Sequence, residues 1–375
     1  MRQDIPIRRL LTLRAVESKT PVTGGFELTP RCNLNCKMCY IRMSAQECAQ
    51  KGRERTAQEW IEMGRQAVEA GTLFLLLTGG EPFLRSDFRE IYTELVKLGL
   101  SVSINSNGTL IDDRAIHWLR QSPPAQINIT LYGMRRETYG ALCGDPTAFD
   151  RAIRAIDALR DAGILVALNA TMTPLNAQDM EEIAVFGTER GLRVKPTYYL
   201  FPPDRRQPGS ACGCKRFAPE LAGRLTAQAQ WLTEEHARLR AFAMAQPEAE
   251  NFEALDDCVR SESVPLGCLA GCSQYWISWD GKMMPCGMMD DPYALPFTDG
   301  FAAAWQQIVQ KTASLRLPAQ CGECGLRAAC PACAAINRCE TGKTTARPEY
   351  LCRLTEAYVQ ALKARFREEA QENSQ

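Results

Sequence analysis

The stretch Phe26-Glu27-Leu28-Thr29-Pro30-Arg31-Cys32-Asn33-Leu34-Asn35-Cys36-Lys37-Met38-Cys39-Tyr40 joins a short apolar run to three cysteines in CxxxCxxC spacing. Phe26 to Leu28 reads as a strand, so the three thiols sit in the loop that leaves its C-terminal end. Three thiolates cannot close a cubane of four irons, and an iron without a protein ligand is open to a substrate, as at a catalytic metal site. The spacing also admits a structural zinc knuckle with its fourth ligand elsewhere, or three reduced thiols. Context decides between them.

Working outward, short apolar runs alternate with amphipathic stretches at a period of roughly 25 to 35 residues. The runs Phe26 to Leu28, Leu73 to Leu77, Val102 to Ile104, Ile127 to Leu131, Leu165 to Ala170 and Val194 to Tyr199 make six candidate strands. The helices between them have readable ends. Thr56 with Glu59 three residues on forms a capping box, and Gly71 closes that helix. Ser86 or Asp87 opens the next, which ends at Gly99, and a helix from about Thr147 to Ala162 carries Phe149, Ala152, Ile153, Ile156 and Leu159 on one face before Gly163. Six such repeats predict an α/β fold, a partial (β/α)6 TIM-like barrel over residues 22–200, with the active residues at the C-terminal strand ends.

Residues 1–21 read as an N-terminal extension. Pro and Gly punctuate FPPDRRQPGSACGCKRF, residues 201–217, which opens a linker and helical segment over 201–257, helical from Pro219 to Met244. A small cysteine-rich, iron-sulfur-binding C-terminal domain is expected over 258–353, followed by a C-terminal helix and tail over 354–375.

With 375 residues, 45% of them hydrophobic, the chain can bury one large core and a smaller one. Lys and Arg number 44 and Asp and Glu 44, so no global field gathers nucleic acid or an anionic membrane, and neither is expected as a partner. The apolar stretch Leu10 to Val16 is broken by Arg14 and too short for a signal peptide or a span, which predicts a cytoplasmic protein. In that reducing compartment 17 cysteines are no disulfide framework. With only His117 and His236 available, the ligand set is thiolate, which suits zinc or iron-sulfur clusters.

Cys32 to Tyr40, together with Thr78-Gly79-Gly80-Glu81-Pro82 after the second strand, resembles the signature of the radical S-adenosylmethionine (SAM) superfamily. The resemblance implies that Cys32, Cys36 and Cys39 hold a 4Fe-4S cluster whose open iron is chelated by SAM. An electron from an external donor of flavodoxin or ferredoxin type then cleaves SAM to a 5'-deoxyadenosyl radical that abstracts hydrogen from the substrate. It places adenine against the backbone of Met38 and the methionyl amino group at Gly79, Gly80, Glu81 and Pro82. The glycines would let backbone approach the ligand, and Glu81 would accept from the ammonium. Ser106, Asn107 and Thr130 stand where relatives place ribose contacts.

The pattern Cys268-x3-Cys272-x8-Gly281-x4-Cys286, then Cys321-x2-Cys324-x5-Cys330-x2-Cys333, then Cys352, resembles the SPASM extension of radical enzymes that modify peptides and proteins. By carry-over, Cys268, Cys272, Cys286 and Cys333 would hold auxiliary cluster I, and Cys321, Cys324, Cys330 and Cys352 auxiliary cluster II, both 4Fe-4S. The family has x3 where this chain has x2 before Cys333, which leaves Cys339 as an alternative ligand. A zinc ribbon on Cys321, Cys324, Cys330 and Cys333 is the plainer reading of the same CxxC pairs. Cys48, Cys143, Cys212, Cys214 and Cys258 read as ordinary thiols, with Cys212 and Cys214 as a pair able to bind or shuttle a group.

The resemblance implies oxidative modification of a peptide or protein, for example a thioether or carbon-carbon crosslink. The alternatives are a radical enzyme acting on a small molecule in cofactor biosynthesis, a sulfatase-maturing oxidase, and a non-catalytic scaffold. The sulfatase-maturing type carries an acidic residue after the cysteine matching Cys286, and here that residue is Gly287. About 24 residues precede the first strand, so leader recognition is expected to use a separate leader-binding protein or another surface. Tyr198, Tyr199, Arg205 and Arg206, at the end of the last barrel strand, are the catalytic candidates, against an exposed linker with a basic turn.

Overall fold

Six strands run parallel in chain order: β1 (Thr23–Glu27), β2 (Phe74–Thr78), β3 (Ser101–Ser106), β4 (Gln126–Thr130), β5 (Val166–Thr171) and β6 (Arg193–Thr197). The structure is a computed structural model that describes residues 7–202, 216–246, 264–265 and 268–372. Helices such as Ala57–Glu69, Phe88–Lys97 and Ala148–Asp161 return the chain between strands. Their ends follow local chemistry. Thr56 and Glu59 form the capping box, Asp87 precedes the next helix with its carboxylate accepting from Arg85, and Gly71, Gly99 and Gly163 follow their helices with φ of 104°, 86° and 73°.

Alternation along the strands separates two faces. Phe26, Leu77, Ile104, Ile127, Ile129 and Leu168 are fully buried beneath the helices. The opposite, concave face is polar: Asn128 donates to Asn105 Oδ1 at 2.9 Å across β3 and β4, and Lys195 Nζ donates to Asn128 Oδ1 at 3.2 Å. A closed barrel fills that space with apolar side chains. Here it stays open for a ligand.

The cysteine-rich region is hydrogen-bonded into the same sheet. After the short β7 (Val264–Pro265), β8 (Gln274–Ile277) pairs in parallel with the free edge of β1, and β9 (Met283–Met284) pairs antiparallel with β8. β10 (Arg316–Leu317) pairs with β7. The helical segment expected from Pro219 to Met244 is two helices, Pro219–Thr233 and His236–Met244. The C-terminal helix is longer than expected, Glu349–Glu372, and meets the first of these backbone to backbone, since a Cβ on Gly223 would lie 2.3 Å from the Leu354 carbonyl oxygen. No helix among the described residues is long and apolar enough to cross a membrane.

Candidate functional site

The Cys32–Cys39 loop leaves the C-terminal end of β1 and is braced from two sides. Asn35 N donates to Cys143 O and Lys37 N to Leu142 O, both at 2.9 Å, while Gly80 N donates to Thr29 O at 2.7 Å and Glu81 N to Arg31 O at 2.9 Å. Neutral N–H groups point at the sulfurs: Leu34 N at 3.4 Å and Asn107 Nδ2 at 3.6 Å from Cys32 Sγ, and Arg42 N at 3.3 Å from Cys39 Sγ. Such donors stabilise thiolate ligands. Burial pushes the Cys32 thiol up to about 12, and the charge of Glu81 adds to the rise, so ligation as thiolate there is driven by a cation. Cys36 is held below the usual thiol range, first by a hydrogen bond from the buried Cys143 and then by Tyr132. Cys143, read from sequence as an ordinary thiol, is therefore a neighbour of the cysteine triplet.

The Gly79-Gly80-Glu81-Pro82 loop packs closely on the chain that leads into Cys32. A Cβ on Gly79 would lie 2.5 Å from Thr29 O, and one on Gly80 2.3 Å from Arg31 O. These glycines admit the backbone that leads into Cys32. Glu81 is completely buried and does not face the cavity described below. Its Oε1 accepts from Ser106 Oγ at 2.9 Å and Phe83 N at 3.1 Å, and its Oε2 from Asn107 N at 2.7 Å. The Glu81 carboxyl group thus joins the second and third strand ends. Asn107 in turn donates to Asn33 Oδ1 at 3.0 Å.

A cavity of about 570 Å³ opens over the C-terminal strand ends. Cys36, Met38, Cys39, Gly79 and Gly80 line one side, with Ser106, Asn107 and Thr130 beside them. Tyr198 and Tyr199 form the wall, and Met288, Pro331 and Ile336 close it from the cysteine-rich region. Tyr198 is buried against Phe217, ring centroids 5.8 Å apart. Tyr199 Oη donates to Glu340 Oε1 at 2.6 Å, and Arg216 Nη2 donates to Glu340 Oε2 at 3.2 Å. Burial, then Glu340, push the Tyr199 phenol well above its ordinary range. Glu340 carries no sequence signal, because its partners come from 124 and 141 residues away. Arg205, Arg206, Cys212, Cys214 and Cys258 lie outside the described residues.

The C-terminal cysteines form two neighbourhoods. Cys333 stands close enough to Cys268 and Cys286 for its charge to raise both thiols, and Cys272 acts likewise on Cys268, all behind the larger effect of burial. Cys339 Sγ instead faces Met288 O at 3.9 Å. Cys321, Cys324, Cys330 and Cys352 line a separate small cavity with apolar Leu326 and Ala332 in its wall. Among the described residues no three His, Cys, Asp or Glu side chains converge as a single metal ion needs. Zinc draws its sulfurs to about 2.3 Å from one point.

At the first strand end of a parallel partial barrel the loop carrying Cys36 and Cys39 opens to this cavity, and residues 26–187 match the Radical SAM superfamily. Over those residues the chain carries a domain similar to that superfamily, whose members use SAM and a 4Fe-4S cluster. Among its relatives is the AdoMet-dependent heme synthase of Methanosarcina barkeri, 26% identical over 87% of this chain and 94% of the relative. The sporulation killing factor maturation protein SkfB of Bacillus subtilis is 27% identical over 45% of this chain and 40% of the relative. The crystal structure of Streptococcus suis SuiB bound to precursor peptide SuiA has the same fold, with a TM-score of 0.64 at 18% identity, over 92% of this chain and 80% of that one.

Proposed function

We propose that the chain is a radical SAM enzyme that oxidises a peptide or protein substrate by two electrons. One observation carries the reading: a single cavity touches both the Cys36 and Cys39 loop and Met288, Pro331 and Ile336, which flank Cys286, Cys330 and Cys333. Cys32, Cys36 and Cys39 would hold the cluster, which together with SAM would supply the radical chemistry for removing one hydrogen atom from a substrate in this cavity. Met38, Gly79, Gly80, Ser106, Asn107 and Thr130 line the side where SAM would lie. Cys268, Cys272, Cys286 and Cys333, and separately Cys321, Cys324, Cys330 and Cys352, would hold auxiliary 4Fe-4S clusters able to take the second electron.

Losing that electron releases a proton, and Tyr199 with Glu340 is placed to receive it: the phenol is in the cavity wall, and the carboxylate behind it is paired with Arg216. The base of the sulfatase-maturing type has no room here. A Cβ on Gly287 would already lie 2.8 Å from the Trp276 ring.

Two features favour a peptide. The described cavity wall holds no Lys, Arg or His to meet the several carboxylates of a porphyrin. A second cavity of about 380 Å³ shares Thr226, Pro331 and Leu354 with the first, a longer path than one small molecule fills. The 94% coverage of the heme synthase favours the second reading, a tetrapyrrole substrate.

The test is anaerobic reconstitution, iron and sulfide counts, and a dithionite-dependent 5'-deoxyadenosine assay with peptides encoded beside the gene and, separately, iron coproporphyrin. About twelve irons and a peptide two hydrogens lighter are expected. About four irons would remove the auxiliary clusters, and no SAM cleavage after full loading would end the enzyme reading. Conversion of the iron coproporphyrin and not of the peptides would replace the peptide reading.

A further inference from the structure

We propose that Arg347, supported by Arg327, makes the Cys321, Cys324, Cys330 and Cys352 site the highest-potential electron acceptor of the chain. The inference rests on the reading that these cysteines hold an iron-sulfur cluster. Arg347 Nε donates to Cys352 Sγ at 3.3 Å. Arg327 Nη1 donates to the Cys330 carbonyl at 3.2 Å, and both arginines line the cavity together with the four cysteines. A cluster gains negative charge on reduction, so cations and hydrogen bonds at its sulfurs favour the reduced form and raise its potential.

The other two cysteine sets are built differently. At Cys32 and Cys39 the sulfurs face neutral backbone and amide N–H groups, and the charge that reaches Cys32 most strongly from outside the triplet is that of Glu81, an acid. Near Cys36 Arg42 is a cation, ranked behind Cys143 and Tyr132 in its effect. At Cys268 and Cys286 the hydrogen bonds come from backbone N–H groups of Ala270, Met288 and Met289. Cys272 meets Lys19 Nζ at 3.6 Å, but that lysine is exposed and screened by water.

The order has a chemical use. Reductive cleavage of SAM requires the strongest reductant at Cys32, Cys36 and Cys39, whereas a substrate that has lost a hydrogen atom yields its next electron to a weaker one. Two partly buried arginines at the last site pull that electron away from the cavity. The acceptor is the oxidised cluster itself, which is reduced by one electron and returns it to the external carrier.

The test uses the full chain with Cys32, Cys36 and Cys39 replaced by alanine, so that only auxiliary signals remain, with iron counts and an EPR-monitored redox titration. Arg347→Gln is expected to move one of the two signals to lower potential and leave the other in place. Arg347→Lys should move the same signal less, and Arg327→Gln should shift it in the same direction. Fully loaded protein with both signals unmoved in Arg347→Gln and Arg327→Gln overturns the proposal, as does an equal shift of both signals. Should Arg347→Gln lose iron, Arg347→Lys and Arg327→Gln decide it by the same criteria. Iron near zero with both arginines intact overturns instead the reading that these cysteines hold clusters.

Discussion

At Glu81 a fully buried carboxyl accepts three hydrogen bonds from its own chain. Burial raises it to about 7 from an ordinary 4.5, so between those values the folded chain keeps a proton that the unfolded chain has lost. Its contribution to stability is therefore greatest below pH 4.5 and is lost as pH rises through 7, on the order of 3 kcal/mol in all. Melting curves of Glu81→Gln over that range are expected to lack this slope. Tyr199 makes a prediction about chemistry. Tyr199→Phe and Glu340→Gln should lower product formation about 100-fold while 5'-deoxyadenosine release persists. Equal loss of both would assign the pair a structural role. The cysteines and the glycine loop were legible as motifs, because a motif is a spacing along the chain. The duty of Glu81 was not, since its donors Ser106 and Asn107 arrive from another strand end.

Elements were read best where their signals are local. All six barrel strands stand within three residues of their expected starts, the capping box at Thr56 is in place, and the next helix starts directly after Asp87. Thr56→Ala removes a reciprocal capping box and should cost about 1 kcal/mol in chemical denaturation. Gly80→Ala has a more specific outcome. Its Cβ would meet the Arg31 carbonyl, so the loop carrying Cys32 must shift, and iron bound at Cys32, Cys36 and Cys39 should fall while the auxiliary iron stays. Iron counts on the single variant and on one lacking those three cysteines separate the two. The break between Pro219–Thr233 and His236–Met244 escaped the sequence because no Gly or Pro marks it. There Glu234 turns extended, and His236 stacks on Trp231 with ring centroids 4.1 Å apart.

Across the whole molecule, β8 ties the cysteine-rich region to the barrel. Tyr275 lies over Gly24, where a Cβ would come within 2.3 Å of its ring, and its hydroxyl meets Thr72 Oγ1 at 3.2 Å. On the other face Trp276 lies over Gly25 and donates to Glu27 at 3.3 Å. Barrel and cysteine-rich region are therefore expected to unfold in one transition, checked by coincident far-UV and near-UV signals. Tyr275→Ala should cost roughly 3 to 5 kcal/mol and expose the region after it to protease first. The sequence by itself determined the parallel repeat, the thiolate chemistry and the radical SAM resemblance, because strand period, capping residues and cysteine spacing act over a few residues. Only the tertiary structure decided that β8 closes onto β1, that Trp276 fills the space beside Gly287, and that Glu340 stands behind Tyr199. The first and last of those contacts join residues more than a hundred positions apart, and packing brings them together.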